Sequence, residues 1–269
     1  MRNVRRRVVV TAAASLFVVA VAISPWGVAA GAAPAPATAP AASTPTVTDD
    51  EVVVVGRNAL GAVTSLTRYE PSGSAEKLRA ELRAKGVQGV VPAGQKMAPS
   101  AVLACSPFVG TAAHWCSHAW AYNQFNDPQV YFLDHTPAGY PVTAAVNDWY
   151  QSPGIDSYYR WYTEGCPGNG RHCVNVYTVN SAESWYGLTT WAPNAPSGPV
   201  KVELNSRTLT NSTQRAKSTC HELGHALGLD HNSSINSCLM SGTVGPGWSI
   251  HPSNDDFQVL NQLYPKPGT

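Results

Sequence analysis

An α+β domain is what the sequence predicts for residues 105–269, and three observations predict it. All six cysteines and nearly all the tryptophans lie in that stretch. Strand-like runs rich in Val, Tyr, Trp and Thr are interleaved with segments of helical periodicity. No repeat recurs at periods of about 20 to 50 residues, so the stretch reads as one domain long enough to bury a real core.

Each element follows from local pattern. Gln129 to His135 alternates loosely and ends in the turn signal Thr136-Pro137-Ala138-Gly139, which predicts a strand. Pro141 to Gln151 predicts a helix, with Pro141 in its first turn and Val142, Ala145, Val146 and Trp149 on one face. Strands are expected at Ser157–Thr163, Cys173–Val179, Tyr186–Trp191 and Val200–Leu204. Asn211 or Ser212 caps a second helix that runs through Leu227. Ser253 caps a third, from about Asn254 to Leu263, with Asp255 and Asp256 near the positive end of its dipole.

The chain before Cys105 has a different character. Arg2, Arg5, Arg6 and Arg7 precede an apolar run from Val8 to Ile23, and Ala30-Gly31-Ala32 suits a cleavage site, so residues 1–32 are expected to be a signal peptide. A retained anchor is the alternative reading, since the run nears the lower limit for a membrane span. The three adjacent arginines match a twin-arginine signal poorly. Residues 33–48, mostly Ala, Pro and Thr, cannot bury enough apolar surface to fold and are expected to be a linker. Residues 49–104 contain the apolar run Val52 to Val55 and a helix from Ala75 to Lys85, capped by Ser74 and ended by Gly86. They read as a propeptide or as an N-terminal extension.

Charge excludes one class of partner. Four of the 18 Lys and Arg lie in the basic leader, which leaves 14 against 17 Asp and Glu, a formal charge of −3. No basic stripe remains, so phosphate neutralisation and nucleic-acid binding have no support. An even cysteine count in an exported chain reads as three disulfides, and proximity favours Cys105–Cys116, Cys166–Cys173 and Cys220–Cys238 among many connectivities. None of the six forms a C-x-x-C pair, which argues against a cysteine zinc site.

The chemistry is concentrated in Cys220-His-Glu-Leu-Gly-His-Ala-Leu-Gly-Leu-Asp-His231. His221 and His225 are four apart, so on a helix their imidazoles share one face and can bind one zinc ion at about 2.0 to 2.1 Å each. Glu222 is displaced around the helix, off the metal but near a water bound to it. Gly228 can take a positive φ, end the helix and turn the chain so that His231 returns as third ligand. Three protein ligands leave a position for water, the mark of a catalytic site. Glu222 would then be the general base. Asp230 is a competing third ligand, one residue off the register. His114, His118, His135, His172 and His251 read as ordinary surface histidines.

The pattern His221-Glu222-x-x-His225-x-x-Gly228-x-x-His231 resembles the metzincin signature, and most closely its matrixin branch. Cys238-Leu239-Met240-Ser241-Gly242 resembles the methionine turn below the zinc, and residues 251–264 resemble the last matrixin helix. The resemblance covers about residues 105–265. It implies a zincin-like fold: a twisted mixed sheet against two long helices, with a smaller part beyond Gly228. It implies Zn2+ as cofactor, a peptide or protein substrate, and a substrate strand along a sheet edge, for which Tyr186–Trp191 is the candidate.

Departures from the family pattern carry expectations too. No histidine lies between Cys173 and His221, so a second, structural zinc is not expected. Calcium loops are not recognisable. The family's propeptide cysteine motif is absent, so any latency must use another mechanism. The function expected is that of a secreted, monomeric zinc endopeptidase, with no membrane association after signal cleavage. A zinc amidase acting on cell-wall peptides and a non-catalytic zinc-scaffold binding module are the alternatives.

Overall fold

The computed structural model describes residues 47–95, 109–114, 118–192, 200–242 and 247–266. The signal segment, nearly all of the Ala/Pro-rich linker and the Cys105–Cys116 pairing fall outside the described residues.

The C-terminal part builds five strands and three helices in the predicted order: β3 (Gln129–Asp134), α2 (Val142–Trp149), β4 (Asp156–Trp161), β5 (His172–Val179), β6 (Trp185–Trp191), β7 (Val200–Asn205), α3 (Ser212–Ala226) and α4 (Asn254–Leu263). Two strands and a helix precede them: β1 (Val52–Arg57), β2 (Val63–Pro71) and α1 (Ala75–Ala84). All seven strands form one sheet in the order β1-β2-β6-β7-β5-β3-β4. β3 pairs in parallel with β4 and β5, and β5 with β7; β6 is antiparallel to β7 and β2. This is the mixed sheet and α+β organisation that the sequence predicts.

The main core lies between the sheet and the helix pair α2 and α3. Trp149 is fully buried there with Phe132, Val174, Val202, Leu223 and Leu227, and its indole Nε1 donates to the Cys220 carbonyl at 3.0 Å. The close approach depends on Gly224, because a Cβ there would lie 2.6 Å from the Trp149 ring and 2.8 Å from Leu239. Small differences from the expected bounds are local. Pro141 is the N-cap of α2 rather than a helical residue, and β4 gives way at Tyr162 to a 3-10 turn.

The N-terminal part is folded onto that sheet. β1 and β2 form an antiparallel hairpin, a partner strand that the short apolar run alone did not reveal. Both faces of β1 are covered, since Val53 and Val55 pack with Val47, Leu66 and Val91, while Val52 and Val54 pack with Leu78 and Leu82 of α1 and with Trp185 and Leu188 of β6. α1 has the predicted cap, with the Ser74 hydroxyl accepting from the Lys77 N–H, and Gly86 follows its end at φ +82°. Burying Leu78 and Leu82 contributes roughly 2 kcal/mol each.

One expectation is corrected. Tyr186–Trp191 is not a free edge in the intact chain, because β2 pairs along it from Leu66↔Trp191 to Pro71↔Trp185. The sheet therefore continues through the N-terminal hairpin.

Candidate metal centre

α3 brings the first two histidines together. Asn211 Oδ1 accepts from the Gln214 N–H at 2.9 Å and Gln214 Oε1 from the Asn211 N–H at 3.3 Å, a reciprocal cap that fixes where the helix starts. His221 and His225 then fall one turn apart, with ring centroids 4.5 Å from each other. Leu227 ends the helix. The Leu229 N–H donates to the Gly224 carbonyl and the Gly228 N–H to the His225 carbonyl, a Schellman closure around Gly228 at φ +102°. A Cβ on Gly228 would also meet the His118 carbonyl oxygen at 2.2 Å, so only glycine fits this turn.

Past that turn, the Asp230 N–H donates to the Ala113 carbonyl at 2.8 Å and the Asn232 N–H to the Leu239 carbonyl at 3.1 Å. The chain so held returns His231 to within 5.2 Å of the His221 ring and 5.1 Å of the His225 ring, centroid to centroid. The ligand atoms of the three imidazoles all lie within 4.8 Å of one another.

The chemistry of this donor set fits a cation. His221 Nδ1 faces the Cys238 carbonyl at 2.9 Å and His225 Nδ1 faces the Leu229 carbonyl at 2.9 Å. Each Nδ1 must therefore carry the proton, which leaves the Nε2 lone pairs facing each other at 3.0 Å. Two lone pairs at that distance repel until a cation lies between them. Burial lowers His221 to about 4 and holds His225 well below its ordinary value, so both rings are neutral, as metal ligation requires. His231 differs: its Nδ1 lies 3.1 Å from the Arg68 guanidinium, which can only donate.

Glu222 is fully buried, and its carboxylate is placed from the sheet side. Thr189 Oγ1 donates to Oε2 at 2.7 Å. Gly187 makes room for it, since a Cβ there would lie 2.6 Å from both Cγ and Oε1 of Glu222. Burial raises this carboxyl to about 8, against the hydrogen bond from Thr189, with Glu70 adding to the rise. Met240 closes the tight turn that begins at Ser237, its N–H donating to the Ser237 carbonyl at 3.2 Å, and its own carbonyl accepts from Lys217 Nζ at 2.5 Å. Cys238 in the same turn is joined to Cys220 of α3 by a disulfide, and Cys166 is joined to Cys173, as proximity suggested. Asp230, the competing ligand, is engaged by Arg68 Nη1 at 2.5 Å.

Two of the five remaining histidines are not on the surface. His118 is buried edge-on against Trp191, and burial lowers it to about 3. His172 is buried against Trp120 and donates to the Ala121 carbonyl at 2.7 Å. His114, the other member of the i, i+4 pair, makes a β-bridge with Leu229.

Sequence reasoning missed four residues at the centre. Thr189 and Gly187 lie on β6, and Arg68 and Glu70 on β2. Glu70 Oε2 is 3.3 Å from His221 Nε2 and 3.3 Å from His231 Nε2. Burial works to raise its carboxyl, but His221, His231 and Lys217 beside it pull it well below the usual carboxylate range. The alternation Leu66, Arg68, Glu70 was the available signal, because it places all three on one face of a strand.

Fold and donor set together define a metzincin-like metallopeptidase domain. The family model for matrixins matches residues 116–265, more than half of the chain, and the chain belongs to the matrixin family. No curated protein matches it. Membership supports a zinc-dependent metallopeptidase acting on peptide or protein substrates. Among the described residues, no helix is long and apolar enough to cross a membrane.

Proposed function

We propose that this protein is a secreted, monomeric zinc endopeptidase that binds its metal through Nε2 of His221 and His225 and through the His231 imidazole, and uses Glu222 as general base. The observation that carries the reading is the convergence of three imidazoles, two of them with Nδ1 tied to a backbone carbonyl. Zinc so held would supply Lewis acidity and a water of pKa near 7.

Glu222 is suited to receive a proton from the attacking water and deliver it to the leaving amine, because burial makes its carboxylate a stronger base than a solvated one. Thr189 restricts the carboxylate to one orientation, and Gly187 leaves that position open. Cys220–Cys238 ties the helix carrying two ligands to the turn carrying Met240, which supports a role for that turn as the floor of the site. The basic leader, the apolar run and the disulfides support export, with residues 1–32 as signal peptide, 49–104 as propeptide and 105–269 as catalytic domain.

The test is a paired measurement of metal content and peptide-library digestion on the secreted, processed protein. Glu222→Ala is expected to retain zinc while kcat/KM falls by about 10³. Unchanged digestion by that variant would refute the role given to Glu222, and zinc content unaffected by His231→Ala would refute the ligand set.

A further inference from the structure

We propose that in the intact chain Glu70 is a fourth protein ligand of the metal, and that β2 takes the sheet edge a substrate strand would use, so that the N-terminal segment closes the site until it is displaced. The inference rests on the reading of the three histidines as metal ligands.

Strand register puts Glu70 in place. β2 runs antiparallel to β6, with Leu66 opposite Trp191, Arg68 opposite Thr189 and Glu70 opposite Gly187. Directly opposed residues share a face, so Arg68 and Glu70 project to the side where Thr189 and Gly187 meet Glu222. At that point Glu70 is only 2 % exposed. Its two oxygens are used differently. Oε1 accepts the Gly242 N–H at 2.5 Å, whereas Oε2 has no hydrogen-bond partner and points between His221 Nε2 and His231 Nε2. His231 Nε2 is likewise buried and without a hydrogen-bond partner. His221 carries its proton on Nδ1, so its Nε2 lone pair and the Glu70 Oε2 carboxylate oxygen face each other at 3.3 Å with no proton between them, a pair of donors that a divalent cation satisfies.

The consequence is chemical. A catalytic zinc needs a position free for water and substrate, and four protein ligands are the pattern of a closed site. A peptide that binds by adding a strand needs an unpaired edge, and β2 already makes the ladder bonds that β6 offers. Leu66 and Arg68 also form one wall of the small recess that His118, Trp191, His225 and Leu229 complete next to the histidines. Arg68 fastens the strand there through Asp230, and Glu51 of its own segment pairs with the same guanidinium. No cysteine precedes Cys105, so the segment is held without a disulfide and can leave intact.

The experiment uses the full chain loaded with cobalt(II), whose visible bands report the ligand set, and acetohydroxamate as a small chelating probe. Wild type, Glu70→Gln and Glu70→Ala are compared, with Arg68→Ala as a variant that loosens the strand but keeps the carboxylate. The expected result is stoichiometric cobalt in all four, bands that change on losing Glu70, and acetohydroxamate binding at least about tenfold tighter in the Glu70 and Arg68 variants than in wild type. Identical bands and identical acetohydroxamate titrations in the folded variants and wild type would overturn the proposal while leaving the histidine site intact. Absence of any cobalt or zinc binding in wild type would instead refute the histidine site itself.

Discussion

Residues 47–95 and residues 109–266 share one sheet, yet they are held by different forces. The C-terminal part has a core of large apolar side chains, Trp149, Leu223 and Tyr264 among them, and, among the described residues, two disulfides. The N-terminal part has neither tryptophan nor cysteine, and its contacts with the rest are rich in charge. Arg68 pairs with Asp230, Lys85 with Glu183 at 2.6 Å, and Glu81 accepts from the Ser184 N–H and hydroxyl. Buried and half-buried ion pairs add little net stability over an apolar contact, because desolvation offsets attraction. They do fix register, and that is what a strand carrying Glu70 to the histidines requires. The difference fits the proposal that one part is built to persist and the other to dock accurately and come away.

That comparison can be tested by weakening each part separately. The largest effect is expected from Leu78→Ala, which removes a fully buried side chain between α1 and β1. It should cost about 3.5 kcal/mol, and it should appear as faster hydrogen exchange in β1 and β2 with β3 and β5 unchanged. Equal loss of protection throughout the sheet would mean that the two parts unfold as one unit. Opening Cys220–Cys238, by replacing both cysteines with Ala, is the converse. Its closed loop spans a sequence separation of 18, which predicts about 3 kcal/mol lost from the C-terminal part, read as a lowered Tm. A Tm that did not move would place the stability of the metal centre in packing alone. The smallest effect is expected from Gly187→Ala, whose Cβ must displace the Glu222 carboxylate. Activity of the processed protein should fall about tenfold in kcat/KM with zinc content unchanged. Full activity would show that Glu222 has more room than its packing against β6 implies.

Much of the C-terminal part was legible beforehand because its signals are local. Asn211 and Ser253 announce helix starts, and Gly228 announces an end, since each acts on backbone groups within a few residues. His221, His225 and His231 follow from the same locality: one helical turn and one glycine corner bring them together. Glu70 was not legible by that route. It is distant in sequence from all three histidines, and the acid in Arg68-Tyr69-Glu70 reads like any exposed strand residue. The burial of His118 and His172 was equally hidden, because it depends on Trp191 and Trp120 arriving from other segments.

By itself the amino-acid order determined the helices, the strands of the C-terminal part, the glycine corner and the spacing of the three imidazoles, since hydrophobic period, caps and short-range spacing act within a turn or two of chain. Only the tertiary structure decided that β2 lies along β6, that Thr189 and Gly187 set the Glu222 carboxylate, and that Glu70 faces the metal centre. Strand pairing joins residues with no sequence relation, and it is burial against the whole sheet that selects which register wins.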